Sequence, residues 1–298
     1  MSNATRRKEK IGVRWTLGDV SSRGFEALRL SVWGAWKLFG DEARYGICVN
    51  SISLAHAQRE TGSLPAQVLW RAVDRRDLPP VLDEVLDPGM AEGAGWKLAP
   101  TRLFPAAFEL ALDNDCILWR LPPSVRQWIT NAERDRCVMA EDVNGCFGQV
   151  TDLCGGDPRN AGIRGFPPGF DLSAAVRLVI ERCRSRRGRA VRLASETDEQ
   201  GLQTASLSIH SPPATVTLAE VSICSPFHPH LPNLGSCGAH FVGLNAHHIP
   251  WNYYDRPADE WIKQHWHRHL PELYIRTGAD RRAPVVETFD SVYQSLEG

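Results

Sequence analysis

The sequence lacks any long hydrophobic run. Although 43% of its 298 residues are hydrophobic, no stretch approaches the roughly 18 consecutive apolar residues that a membrane-spanning helix needs. An excess charge of either sign is also missing. The 34 Lys and Arg residues balance 35 Asp and Glu to a formal −1, so no broad basic field exists to draw in nucleic acid. Paired cysteines are absent too. The eight cysteines, at positions 48, 116, 137, 146, 154, 183, 224 and 237, contain no C-x-x-C. That argues against a disulfide framework or a zinc ribbon and for free thiols in a reducing compartment. The polar stretch Met1 to Lys10 is followed by no signal-peptide core, and there is no internal repeat or low-complexity segment. These absences predict a cytoplasmic globular protein: residues 11–298 as one domain, and residues 1–10 as a disordered tail.

What is present alternates between strand and helix patterns. Ile11 to Trp15 reads as a strand. After a polar loop, Phe25 to Leu38 reads as a helix stopped by Gly40. Tyr45 to Ile52 and Val68 to Val73 read as further strands, and Leu110 to Trp119 as another. Helical patterns recur at Pro123 to Asn131, Leu172 to Arg184 and Asp198 to Ala205. Strands are expected at Ser206 to His210 and Val216 to Cys224, and a Trp- and His-rich segment follows from His240 to Tyr274. Arg159 to Arg164 is a short piece bracketed by Gly- and Pro-rich loops. Alternation of this kind predicts an α/β protein with a mostly parallel, doubly wound sheet. The Arg182, Arg184, Arg186, Arg187, Arg189, Arg192 cluster fits a solvated helix end, where cations suit the macrodipole.

Within the Leu110 to Trp119 run the chain reads Asp113-Asn114-Asp115. In an extended segment residues i and i+2 point the same way, and unpaired carboxylates in an apolar run are costly. Asp113 and Asp115 are therefore candidates to converge on a hard cation such as Mn²⁺ or Mg²⁺, particularly where diphosphate oxygens complete the shell. Far downstream, His240 stands three residues before Gly243, and His247 and His248 precede Pro250-Trp251. Imidazole can ligate Mn²⁺, and a glycine lets backbone approach a phosphate.

These two motifs together resemble the GT-A glycosyltransferases, and within them the retaining family 8 enzymes related to glycogenin and bacterial galactosyltransferases. That family carries a D-x-D at a strand end and a C-terminal H-x-x-G-x-x-K-P-W. The resemblance implies a GT-A fold, a Rossmann-like mixed sheet flanked by helices, with Mn²⁺ or Mg²⁺ held by Asp113, Asp115 and His240. The donor would be a nucleotide-diphosphate-sugar, with Gly243 against its phosphates and Asn114 beside it. This chain has a longer spacing from the glycine to Pro-Trp and no lysine before Pro250, so His247 or His248 would replace that lysine. Arg159-Asn160-Ala161-Gly162-Ile163 is similar to the family's F-N-[AS]-G-[VI], which assigns Asn160 to the donor sugar. Thr197 to Gln203 resembles D-Q-[DG]-x-L-N, which places Asp198, Glu199 or Gln200 beneath the anomeric carbon. Lys97 and Arg102 are placed like the basic residue preceding D-x-D, and Arg14, in the loop after the first strand, would contact the nucleotide.

The implied activity is sugar transfer to an acceptor hydroxyl of a glycan, lipid or small molecule, with retention. An inverting enzyme would need a general base, for which Glu141 and Asp142 are candidates. Trp251, Tyr253, Tyr254, Trp261 and Trp266 offer aromatic faces to an acceptor, though Trp261 and Trp266 also suit a helix packed on the core. Competing readings are a catalytically silent nucleotide-sugar-binding protein, a nucleotide-sugar hydrolase, and a structural zinc protein built on His240, His247, His248, His265, His267 and His269.

Overall fold

The computed structural model describes residues 11–65, 67–87, 95–130, 136–187 and 192–280. The expected tail at 1–10, the last residues of the expected domain, 281–298, and Arg189 lie outside the described residues. In chain order, β1 (Ile11–Leu17) leads to α1 (Ser22–Phe39), β2 (Arg44–Val49), α2 (Leu54–Thr61) and β3 (Val68–Ala72). A short α3 (Pro80–Asp83) precedes β4 (Phe108–Asp113), β5 (Cys116–Leu118), α4 (Pro123–Thr130) and β6 (Val138–Glu141). Next come β7 (Arg159–Phe166), α5 (Leu172–Arg187), α6 (Glu196–Leu207), β8 (Ala214–Val216) and β9 (Val221–Cys224). The described chain closes with β10 (Gly238–Phe241), β11 (Asn252–Tyr253), β12 (Arg256–Pro257) and α7 (Ala258–Thr277). Among the described residues no helix is long and apolar enough to cross a membrane.

Seven strands form one mixed sheet in the order β3-β2-β1-β4-β7-β6-β8. Strands β3, β2, β1 and β4 are parallel, while β7 runs antiparallel to both of its neighbours. The chain winds outward from β1 to β3 and then returns to β1's other side as β4. Order therefore reverses between β1 and β4, and in open α/β sheets ligands bind outside the carboxyl ends of strands at such a point.

Side-chain alternation along these strands feeds two cores. On one face Trp15, Ile47, Leu110 and Leu112 pack with Phe25, Leu28 and Val32 of α1 and Trp128 of α4. On the other, Cys48, Ala111, Met139 and Phe166 pack with Val176 and Ile180 of α5 and Leu202 of α6. A second sheet, β5-β10-β9, shares a third core with α1 and α7 through Leu30, Ile117, Phe241, Trp266 and Leu273. Helix α1 is therefore buried on two sides. Its start is fixed by the Ser21 hydroxyl, which accepts from the Gly24 N–H at 3.3 Å, a cap worth about 1 kcal/mol. It stops at Gly40, as its pattern implies.

The sheet is mixed rather than mostly parallel because Arg159–Phe166 enters it as β7, a buried strand and not an interlude between loops. The Leu110 to Trp119 run is two strands. β4 ends at Asp113, residues 114–115 turn, and β5 joins the second sheet. The expected strand at Ser206 to His210 does not form, because α6 continues through the buried Ser206 and Leu207. Val216 to Cys224 likewise divides between β8 and β9, in different sheets.

Candidate metal and donor site

The carboxyl end of β4 delivers Asp113, and the turn to β5 delivers Asn114 and Asp115. Antiparallel pairing of β5 with β10 sets His240 opposite Cys116, which brings the imidazole to the turn. His240 Nε2 lies 3.3 Å from Asp115 Oδ1 and 3.8 Å from Asp113 Oδ2. One ligand atom from each of the three residues falls within 4.8 Å of the others. The two carboxylates therefore converge through a turn that changes sheets, not through alternation along one strand.

Gly162 on β7 makes room for this imidazole. A Cβ there would meet His240 Cε1 and Nδ1 at 2.5 Å. Asp115 is anchored through Oδ2, which accepts from Asn245 Nδ2 at 3.0 Å, and through its carbonyl, which accepts from the Phe241 N–H at 3.0 Å. Its Oδ1 is buried without a well-formed hydrogen bond and faces His240 Nε2 at 3.3 Å. A buried carboxylate oxygen costs free energy unless a cation or an imidazolium meets it. Two carboxylates and one imidazole are a donor set that Mn²⁺ or Mg²⁺ accepts.

Fixed charges surround the three. Lys97 Nζ donates to Asp113 Oδ2 at 2.8 Å and lies 3.6 Å from Glu199 Oε2. Arg164, fully buried on β7, reaches Asp113 Oδ1 at 3.4 Å and Gln203 Oε1 at 2.7 Å. Burial alone would raise the Asp113 pKa, but Lys97, Arg164 and His240 outweigh it and hold the carboxyl below its usual value. Burial likewise opposes the charge on His240, yet Asp115 and Asp113 raise its pKa overall. Glu199 goes the other way. Burial, only partly offset by Lys97 and Arg164, lifts it to about 7.

These groups line a cavity of about 760 Å³. Thr16 near the end of β1 lines it together with Gly18 and Asp19 after that strand and Asn114 at the β4 turn, as do Asp142, Asn160 and Gly162. Glu199 and Gln200 at the start of α6 and Gly243 after β10 also face it. Asn160 Nδ2 donates to Asp142 Oδ2 at 2.9 Å, and Gln200 Nε2 donates to the same oxygen at 3.4 Å. Gly243 has φ +84°, a backbone conformation that favours glycine. The sheet and α6 thus gather Lys97, Asp113, Asn114, Asp115, Asn160, Glu199, Gln200, His240 and Gly243 around one space.

Other candidates do not line it. Arg14 lies inside β1 rather than in the loop after it. Its guanidinium is buried against Glu109 at 3.3 Å and against the carbonyls of Lys97 and Pro100, each at 2.5 Å. It therefore positions the Lys97 loop rather than a nucleotide. Arg102 also pairs with Glu109, at 3.1 Å. Asp198 caps α6: its carboxylate accepts from the N–H groups of Gln149, Ala194 and Ser195 at 2.7, 2.9 and 3.1 Å. His247 and His248 point to the surface, on Asp19 and Asp259 at 3.0 Å each, so neither stands in for a lysine inside the cavity. Glu141 accepts from the Leu218 N–H at 2.8 Å and is likewise outside. Trp266 is fully buried and donates to Glu26 at 3.0 Å. Trp251 and Tyr253 pack on Phe227, and Tyr254 and Trp261 pack on Tyr253, outside the cavity.

Arg164 and Asn245 were not candidates from sequence. Arg164 is an arginine in a polar segment whose strand character was hidden. Asn245 lies two residues after the H-x-x-G, where its amide exchanges hydrogen bonds with Asn114 at 2.6 and 3.0 Å.

No protein-family model matches the chain, and no curated protein matches it in sequence. Solved structures do. A crystal structure of galactosyltransferase LgtC with donor and acceptor sugar analogues matches with a TM-score of 0.52 at 13% identity, over 92% of this chain and 98% of that one. An active-site mutant of LgtC matches with a TM-score of 0.50 at 12% identity, over 89% and 99%. The fold is GT-A. At these identities the likeness is one of fold, and the GT-A sheet places the Asp113–Asp115–His240 group at the switch point between β1 and β4.

Proposed function

We propose that the chain is a metal-dependent glycosyltransferase. It moves a sugar from a nucleotide-diphosphate donor to an acceptor hydroxyl with retention, as one GT-A domain over residues 11–298 in the cytoplasm. The observation that carries this reading is the convergence of one ligand atom each from Asp113, Asp115 and His240 within 4.8 Å, at the carboxyl ends of the central GT-A strands. Asp113, Asp115 and His240 would hold Mn²⁺ or Mg²⁺, which when bound neutralises negative charge on a departing diphosphate.

The chain's own residues do the rest. Lys97 is kept charged by Asp113 and Glu199 despite its burial, and adds a fixed positive charge beside the diphosphate. Gly243 lets the backbone approach the phosphates, and Asn114 and Asn160 orient the donor. Glu199 and Gln200, not Asp198, face the anomeric carbon and stabilise positive charge there. Asp142 aligns the amides of Asn160 and Gln200 by accepting from both. The acceptor is a glycan, lipid or small molecule. That LgtC binds donor and acceptor sugar analogues supports a cavity serving both substrates.

One observation favours a second reading, a silent donor-binding protein: neither His247 nor His248 brings a cation into the cavity. Turnover decides between the two. UDP-, GDP-, ADP- and dTDP-sugars are incubated with Mn²⁺, with and without sugar acceptors, and nucleotide release is followed. Release that depends on acceptor and Mn²⁺ and is lost in Asp115→Ala supports transfer. Release of free sugar at the same rate without acceptor indicates a hydrolase. Binding without any release indicates the silent protein.

A further inference from the structure

Cys224, His265 and His269 gather behind the strand that carries His240. Cys224 ends β9, and the two histidines stand four residues apart on α7, so they share one helix face. Cys224 Sγ is 3.2 Å from His265 Nε2, and the two imidazole rings are 4.8 Å apart between centroids. One ligand atom from each residue lies within 4.8 Å of the other two, and all three residues are buried. His269 Nε2 donates to the Pro232 carbonyl at 2.9 Å. A backbone carbonyl of this kind fixes the tautomer of metal-bound histidines, and it leaves Nδ1 with a free lone pair.

A buried thiol converging with two imidazoles is a borderline-soft donor set, unlike the oxygen-rich group at Asp113 and Asp115. We propose that Cys224, His265 and His269 form a structural Zn²⁺ site, with a fourth position left to water or a backbone carbonyl. On binding, the thiol proton leaves to solvent and the sulfur ligates as thiolate. The His267 side chain, also in the zinc set the sequence suggests, is turned to solvent, and Cys224 was not in that set. The consequence reaches the other site. Parallel pairing of β9 with β10 sets Phe241 beside Cys224 and His240 beside Ile223, and Phe241 packs on Trp266 of α7 at 5.0 Å. Zinc between β9 and α7 braces the strand that presents His240.

The test uses the full chain, reduced and stripped of metal, titrated with Co²⁺ and then with Zn²⁺. The expected result is a near-ultraviolet thiolate-to-cobalt charge-transfer band that saturates at one equivalent and is bleached by Zn²⁺. Asp115→Ala should keep the band, since the oxygen-rich site has no sulfur. Cys224→Ser should abolish it, and His269→Gln should weaken Co²⁺ binding by at least about tenfold. X-ray absorption of the zinc-loaded wild type, expected to find one sulfur and two imidazole nitrogens, gives the same answer if a variant does not fold. No band in the wild type overturns the proposal. So does a band that survives Cys224→Ser, which would belong to another thiol.

Discussion

Gly162→Ala is the perturbation that asks most of the geometry around His240. An added methyl would sit 2.5 Å from His240 Cε1 and Nδ1 and 2.8 Å from Asn160 Oδ1. Ordinary contact begins near 3.4 Å, so something must move by about 0.9 Å. Gly162 lies just past the last β4 pair, at Ile163, and within the irregularity of the β6 pairing between Asn160 and Arg164, so the β7 backbone and the imidazole share this displacement. Metal–ligand distances hold to within about 0.2 Å, so this displacement is large for a ligand. The expected outcome is Mn²⁺ affinity lowered by about 10–100-fold, with overpacking costing about 1–3 kcal/mol of stability. Calorimetric Mn²⁺ titration reads the first effect and urea unfolding the second. A folded variant that binds Mn²⁺ as tightly as wild type would refute the claim that His240, held at this distance, ligates the ion.

Three further outcomes follow from the same contacts. Glu109 is fully buried and pairs with both Arg14 and Arg102, so Glu109→Ala leaves two buried guanidinium groups uncompensated; urea unfolding should show a loss of about 3–5 kcal/mol, and a loss below 1 kcal/mol would mean that the pairs are solvated. Burial, partly offset by Lys97 and Arg164, lifts Glu199 from 4.5 to about 7, so the folded chain holds a proton there that the unfolded chain releases. Stability should therefore fall as pH rises from 4.5 towards about 7, a slope worth about 3 kcal/mol that Glu199→Gln removes; metal-free unfolding across that window with an unchanged slope would contradict it. His247→Ala and His248→Ala should leave donor affinity unchanged in calorimetry, because both rings are held at the surface by Asp19 and Asp259.

The sequence carried the metal group more clearly than the sheet around it. Asp113, Asp115 and His240 stand in short motifs whose residue types are costly to bury without a purpose, so they stood out. β7 was hidden because its central position made it polar. Arg159, Asn160 and Arg164 are buried strand residues satisfied by Asp157, Asp142 and Asp113, contacts between segments that periodicity does not encode. The capping role of Asp198 was within reach, since Ser195-x-x-Asp198 has the spacing of a capping box, and the structure forms one. Arg14 falls inside the Ile11 to Trp15 strand pattern itself, and its partner Glu109 lies on a strand distant in sequence, a contact that the loop placement could not foresee. The histidines before Pro250 meet Asp19, which lines the cavity, and Asp259, contacts that the sequence does not reveal.

The most direct measurement is the melting temperature of wild type and Asp115→Ala with UDP-, GDP-, ADP- and dTDP-sugars, each with and without Mn²⁺. Ligand binding to the native state raises that temperature by mass action. One nucleotide-sugar should stabilise the wild type only when Mn²⁺ is present, and leave Asp115→Ala unmoved. Stabilisation by no donor under any condition, or an equal shift in the variant, would contradict a metal-dependent donor site at Asp115.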